Sequence, residues 1–245
     1  MKIPIVKEYG SWAVFILSCS AGIVTGLSTR PRQTGREFSL EILLTILGLI
    51  FLINSKNPFS SFLRAKQQRK ESLLWFIFFS LGGLILLAPF LAEGIKKFLF
   101  FSLLILSYMI LLLRGKEHYL ITELNGFALL TLSAPISYFM ITGEMSLKLY
   151  LCVFIFFAAG VFKVKARIKK NLVYRFIMIF YCAVSLVLFR YLNISVFVLL
   201  PLIENIVSVI WMREEKLRTT GNIELIKGVI FTTLLGFFWH SGGRE

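Results

Sequence analysis

A glutamate near the middle of an apolar run is the feature of this sequence most in need of a chemical reason. Glu204 follows Pro201, adjoins Asn205, and lies nine residues before Arg213 in a stretch otherwise built from Ile, Val, Leu and Ser. A charged side chain at bilayer depth costs about 2.5–3.5 kcal/mol on insertion scales, so it faces a bundle interior and needs a partner there. Such a carboxylate serves as a proton relay, a cation site or a catalytic group. The alternative is interhelical glue, either protonated or paired with Lys227. Lys227 itself stands one turn after Glu224, a spacing at which two side chains meet on a helix. Its ammonium could grip an anionic head group or snorkel to the membrane surface.

Three other glutamates open apolar runs: Glu8, Glu123 and Glu224. A carboxylate in a first helical turn is favoured by the helix dipole, which explains each position singly. It does not explain why each is followed closely by glycine, in Glu8-Tyr9-Gly10, Glu123-Leu124-Asn125-Gly126 and Glu224-Leu225-Ile226-Lys227-Gly228. The candidate catalytic residues are therefore Glu8, Glu123, Glu204 and Glu224, lining a polar cavity open to one face. Asn125, Lys227, Arg69 and Arg167 are the candidates for holding a substrate. The basic runs 64–70 and 163–170, which contain Arg69 and Arg167, suit phosphate or anionic lipid. Topology alone also accounts for them.

What must position these residues is a membrane bundle. Of 245 residues 57% are hydrophobic and 16% charged, far from the roughly one-quarter charged share of soluble domains. The apolar residues fall in blocks at about 10–27, 38–54, 72–91, 97–113, 120–141, 146–162, 173–192, 195–212 and 222–239. Blocks of this length cross a hydrocarbon core about 30 Å thick. The spacing predicts an all-α fold, a polytopic transmembrane helix bundle of about nine helices in a single transmembrane domain over 1–245. The long basic connections are 55–71 and 163–172. Pro135 and Pro201 should kink the fifth and eighth spans locally, because proline removes a helical N–H and membrane helices tolerate the loss. The shared glutamate–glycine openings of spans 1, 5 and 9 suit two four-helix units followed by one closing helix.

Lys and Arg counted on alternate sides give eighteen against eight, which puts the N-terminus in the cytoplasm and the C-terminus outside a cell membrane. Trp12, Trp75, Trp211 and Trp239 fall near span ends, where an aromatic belt belongs. The first block reads as an uncleaved helix rather than a signal peptide.

Composition also excludes chemistry. All thirteen acidic residues are Glu, so no mechanism that requires aspartate applies. Cys19, Cys152 and Cys182 stand singly in apolar runs, and the two histidines, His118 and His240, are far apart. No metal site is expected from such spacing, and no motif names a cofactor. Nucleic acid is not an expected partner, since no folded domain exists to shape a groove surface. The partners expected are the lipid bilayer and an anionic lipid or isoprenoid.

Several short motifs resemble the YwiC-like family of bacterial integral membrane proteins. They are Pro4-Ile5-Val6-Lys7-Glu8-Tyr9-Gly10-Ser11-Trp12-Ala13, His118-Tyr119-Leu120, Glu123-Leu124-Asn125-Gly126-Phe127, Ala134-Pro135, Val164-Lys165-Ala166-Arg167-Ile168 and Gly221-Asn222-Ile223-Glu224-Leu225. The family's opening reads Glu-His-Gly-Ala-Trp, and Tyr9 replaces that histidine here. The resemblance implies a multi-pass bundle and assigns no reaction. The layout is also similar to that of the UbiA-type prenyltransferases, whose Asp-rich magnesium motifs this chain lacks. Two functions stay open: a carrier or membrane-complex accessory protein, and a membrane transferase acting on a lipid or isoprenoid.

Overall fold

A computed structural model of the chain describes residues 9–29, 40–64, 69–115, 119–169, 171–211 and 217–239. They form α1 (Tyr9–Thr29), α2 (Leu40–Arg64), α3 (Arg69–Leu86), α4 (Ala88–Phe98), α5 (Ser102–Leu113), α6 (Leu120–Thr131), α7 (Ser133–Thr142), α8 (Leu147–Lys169), α9 (Leu172–Tyr191), α10 (Ile203–Trp211) and α11 (Leu217–Trp239). Short 3-10 turns, Leu99–Phe101 and Val196–Leu202, lead into α5 and α10. Seven stretches are long and apolar enough to cross a membrane, and Val196–Trp211 is a shorter apolar one. α3 has a spanning length of 18 residues but opens with Arg69, Lys70 and Glu71. The chain is an all-α, multi-pass integral membrane bundle.

The prolines act as their chemistry requires. Pro135 lacks the N–H that would continue the helix, and the fifth passage breaks at Leu132 between α6 and α7. Pro201 lies inside the 3-10 segment that precedes α10. Three boundaries differ from the spacing-based expectation. The third and fourth spans do not break at 92–96 but at Leu87, two residues before Pro89. The segment beyond it, α4, buries Phe90, Gly94 and Phe98 on one side and carries Lys96 and Lys97 in its last turn.

The two basic connections are largely helical. α2 continues through Pro58 to Arg64, its extension held by Phe59 against Phe76 of α3 and by Arg69 over the Phe62 ring. α8 continues to Lys169, with Ala166 buried and Phe162 packed on Tyr181 of α9. The side chains of 163–167 therefore sit on a helix with a buried face and not on a loop.

α1 is the strut on which the site-bearing helices are hung. On one face Gly22 meets the Ala134 carbonyl and Gly26 meets Ile141, both of α7. The Ser133 hydroxyl donates to the Phe15 carbonyl (3.3 Å) across the same contact. On another face Leu17 fits against Gly228 and Val24 against Gly236, both of α11. Small residues at such contacts let backbones approach where lipid supplies no hydrophobic drive. Both sets of contacts rise together along α1, so α1, α6–α7 and α11 run parallel. These are the first, fifth and ninth spans, the three whose sequences open alike. α8 runs against them, and α2 and α3 form an outlying antiparallel pair in which Gly48 and Gly83 interlock.

The ends of the bundle are tied by polar contacts. At the end where α1 finishes, the Trp239 indole donates to Thr29 Oγ1 (3.1 Å), Lys148 to the Asn193 carbonyl (3.3 Å) and Lys97 to the Gly143 carbonyl (2.7 Å). The opposite end, where α1 begins, is the near end.

A Cβ on Gly22 would lie 2.1 Å from the Ala134 carbonyl oxygen, whereas nothing lies within 4 Å of one on Gly221. Gly22→Ala should cost about 2 kcal/mol through forced separation of α1 and α7. Thermal unfolding of the purified protein should show a lowered midpoint for Gly22→Ala and an unchanged or raised one for Gly221→Ala.

Candidate functional site

Three of the residues singled out in the sequence meet in space, and they meet through a fourth that was not singled out. Lys163 of α8 is fully buried, at 0% exposure. Its ammonium donates to Glu204 Oε2 of α10 (2.5 Å) and to Glu224 Oε1 of α11 (2.7 Å). The ammonium of Lys227, one turn along α11, donates to the same two oxygens, at 3.0 Å and 2.8 Å. The four side chains form a closed ring in which every charge touches two of opposite sign. Lys227 also donates to Asn205 Oδ1. Two ammoniums and two carboxylates leave the ring electrically neutral, the condition for keeping charges in an apolar interior.

The elements place the ring by simple geometry. Glu204 and Asn205 stand in the first turn of α10, directly after the Pro201 segment fixes where that helix starts. Glu224 and Lys227 are paired by their i,i+3 spacing. Lys227 is eight residues into the Thr219–Trp239 span, about 12 Å from the near end at 1.5 Å per residue. Lys163 reaches the same depth because α8 extends past the expected loop boundary. The carboxylate side chains keep 33% (Glu204) and 30% (Glu224) of their surface, against 0% for Lys163 and 6% for Lys227. The ring thus presents its carboxylates outward and its ammoniums inward. Lys227 does not snorkel, because the two carboxylates and Asn205 hold its ammonium inside the bundle.

The other candidates lie elsewhere. Glu123 Oε1 accepts from Lys165 of α8 (2.7 Å). Lys163 and Lys165 project about 200° apart around α8, so Glu123 and Glu224 sit on different sides of it and do not line one cavity. Asn125 pairs with the Ser107 hydroxyl of α5 (2.5 Å). Arg167 donates to the Thr220 hydroxyl of α11. Arg69 is exposed and stacks over Phe62, 4.8 Å from the ring centroid. Glu8 falls outside the described residues, as do His118 and His240. Among the described residues no group of three or more His, Cys, Asp or Glu converges as metal ligands would.

Lys163 and Asn205 are the residues that sequence reasoning missed. A signal for Lys163 existed: two intramembrane glutamates against a single intramembrane lysine leave one negative charge unbalanced. The nearest unassigned cation on an apolar helix is the one that opens the basic run of α8.

Comparison of the chain with protein-family models, with curated proteins and with solved structures gives no match.

Breaking a buried pair by deleting one partner costs more than deleting both, because the remaining charge is left uncompensated. Lys163→Met should destabilise the protein by about 3–5 kcal/mol. The double variant Lys163→Met/Glu204→Gln should recover most of that loss. Denaturant unfolding of the four members of this cycle measures the coupling, and additive losses would show that the two side chains do not interact.

Proposed function

We propose that this protein is a small carrier of the cell membrane whose cargo is bound by its polar part at the ring of Lys163, Glu204, Lys227 and Glu224. The observation that carries the reading is the buried ring itself. Replacing a buried ion pair by well-packed apolar residues is often neutral or stabilising, so stability alone gives little reason to keep four charges in the bundle. Intramembrane ionisable groups mark substrate and ion sites by default. Each carboxylate uses one oxygen for both lysines, which leaves Glu204 Oε1 and Glu224 Oε2 for a further interaction. The positive-inside bias supports a cytoplasmic N-terminus and an external C-terminus, which turns the near end and the ring toward the cytoplasm. Membership of the YwiC-like family is part of this proposal and rests on the motifs quoted above.

A second reading, a membrane transferase acting on a lipid or isoprenoid, is favoured by one observation. The ring, the Glu123–Lys165 pair and the Arg167–Thr220 contact all lie toward the near end. In the outer half the buried hydroxyls of Thr25 and Ser137 bond back to their own helices and offer no continuous polar path. A one-sided site suffices for a transferase, whereas a carrier must also open to the other side.

Native mass spectrometry of the detergent-purified chain tests the proposal. The wild type should carry a small-molecule adduct that is lost in Glu204→Gln and Glu224→Gln. Recovery of that molecule chemically unchanged after turnover in vesicles supports the carrier, and recovery as a coupled product supports the transferase. An empty wild type, or an adduct equally retained by both variants, would overturn both and leave an accessory role in a membrane complex.

A further inference from the structure

The ring has a polar edge that its own charges do not use. Asn205 is fully buried beside it. An ammonium can only donate, so Lys227 fixes the Asn205 amide with Oδ1 toward the ring and Nδ2 turned away. That Nδ2 has no hydrogen-bond partner among the described residues, and neither has the buried Ser208 Oγ. Residues 205 and 208 are three apart on α10 and so share one face. Thr25, Ser137 and Ser185 bond back to a carbonyl of their own helix. Ser208 does not, nor do the buried hydroxyls of Ser18 and Ser60, but Ser208 shares its helix face with a second unpartnered polar atom, Asn205 Nδ2. Buried polar groups without partners are uncommon in native proteins, and each calls for a specific explanation.

We propose that Asn205 Nδ2 and Ser208 Oγ, backed by the four-charge ring, bind an electrically neutral molecule through a carbonyl or hydroxyl oxygen. This deepens the carrier reading and rests on it. Nδ2 only donates, so the ligand atom must accept; the serine hydroxyl can give or take and suits either oxygen type. Neutrality follows from the ring. Two ammoniums and two carboxylates already balance, and an added anion or cation would leave a net charge in the apolar interior. The site therefore discriminates against the diphosphates that the strongly basic composition would suggest. The same chemistry can come from the membrane, as a lipophilic alcohol or ketone, or from water, as a small polyol.

The test uses the full chain in nanodiscs and four probes: farnesol for a membrane-borne source, glycerol for an aqueous one, farnesyl diphosphate as an anion and tetramethylammonium as a cation. Saturable binding, read by tryptophan fluorescence and thermal shift, is expected for farnesol or glycerol and for neither charged probe. Which neutral probe binds identifies the source. Ser208→Ala, nearly isosteric and so expected to fold, should weaken that binding about fivefold, and Asn205→Leu about tenfold or more. Ser107→Ala, remote from the ring, should leave it unchanged. Binding of a charged probe in preference to both neutral ones would overturn the proposal, as would neutral binding equal in wild type, Ser208→Ala and Asn205→Leu. If no probe binds while the mass-spectrometric adduct still depends on Glu204, this inference falls and the ring remains a binding site. If the adduct is also independent of Glu204, both readings fall.

Discussion

Everything distinctive about this bundle follows from one constraint: a lysine ammonium with no solvent exposure must be neutralised on the spot. Lys163 meets that requirement only because α10 and α11 each bring a carboxylate to the same point. Two carboxylates on one ammonium would leave a net negative charge, and Lys227 removes it by bridging the same oxygens. The ring is thus the smallest arrangement in which all four charges are satisfied. It joins three helices that the connections alone would leave free to slide, adding to the apolar and aromatic packing among α8, α10 and α11 and to the Arg167–Thr220 contact.

The ring tolerates little misplacement, and the rest of the fold supplies the precision. Gly228 lies one residue beyond Lys227, and its contact with Leu17 sets the height of α11 on α1. Phe231, one turn further, stacks on Phe156 of α8 with ring centroids 3.9 Å apart. These apolar contacts fix the register of α11 against α8 just outward of the ring, so Glu224 and Lys163 arrive opposite one another. Pro201 does the corresponding work for α10 from inside the 3-10 segment Val196–Leu202, which gives way to α10 at Ile203, one residue before Glu204. Close packing of small and aromatic residues carries the geometry, and the charges use it.

How much of this could be read from the chain depends on what each residue competes with. Glu204, Glu224 and Lys227 stand out because their neighbours are apolar, so a charge there is conspicuous without any structure. Pro135 and Pro201 were legible because a missing N–H acts locally. Lys163 was not, because it opens a run of basic residues that topology already explains, and continuation of α8 through buried Ala166 depends on α9 packing against it. Glu123 with Lys165 and Asn125 with Ser107 are pairings across 42 and 18 residues, for which helix periodicity carries no information. The break at Leu87 leaves no mark in the sequence because the apolar pattern runs straight through it. The amphipathic character of α4 appears only once Phe90, Gly94 and Phe98 are seen on one face.

In the ring the half-buried carboxylates of Glu204 and Glu224 are ionised and shared between two buried ammoniums. Infrared spectroscopy of the protein carrying carboxyl-labelled glutamate, compared with Glu204→Gln and Glu224→Gln, examines that ionisation directly. An ionised ring predicts that each variant loses intensity from the carboxylate stretch at neutral pH and none from the protonated carboxyl band. Loss of a protonated carboxyl band in either variant would mean that a neutral glutamic acid occupies the site, and the closed ring of four charges would be contradicted.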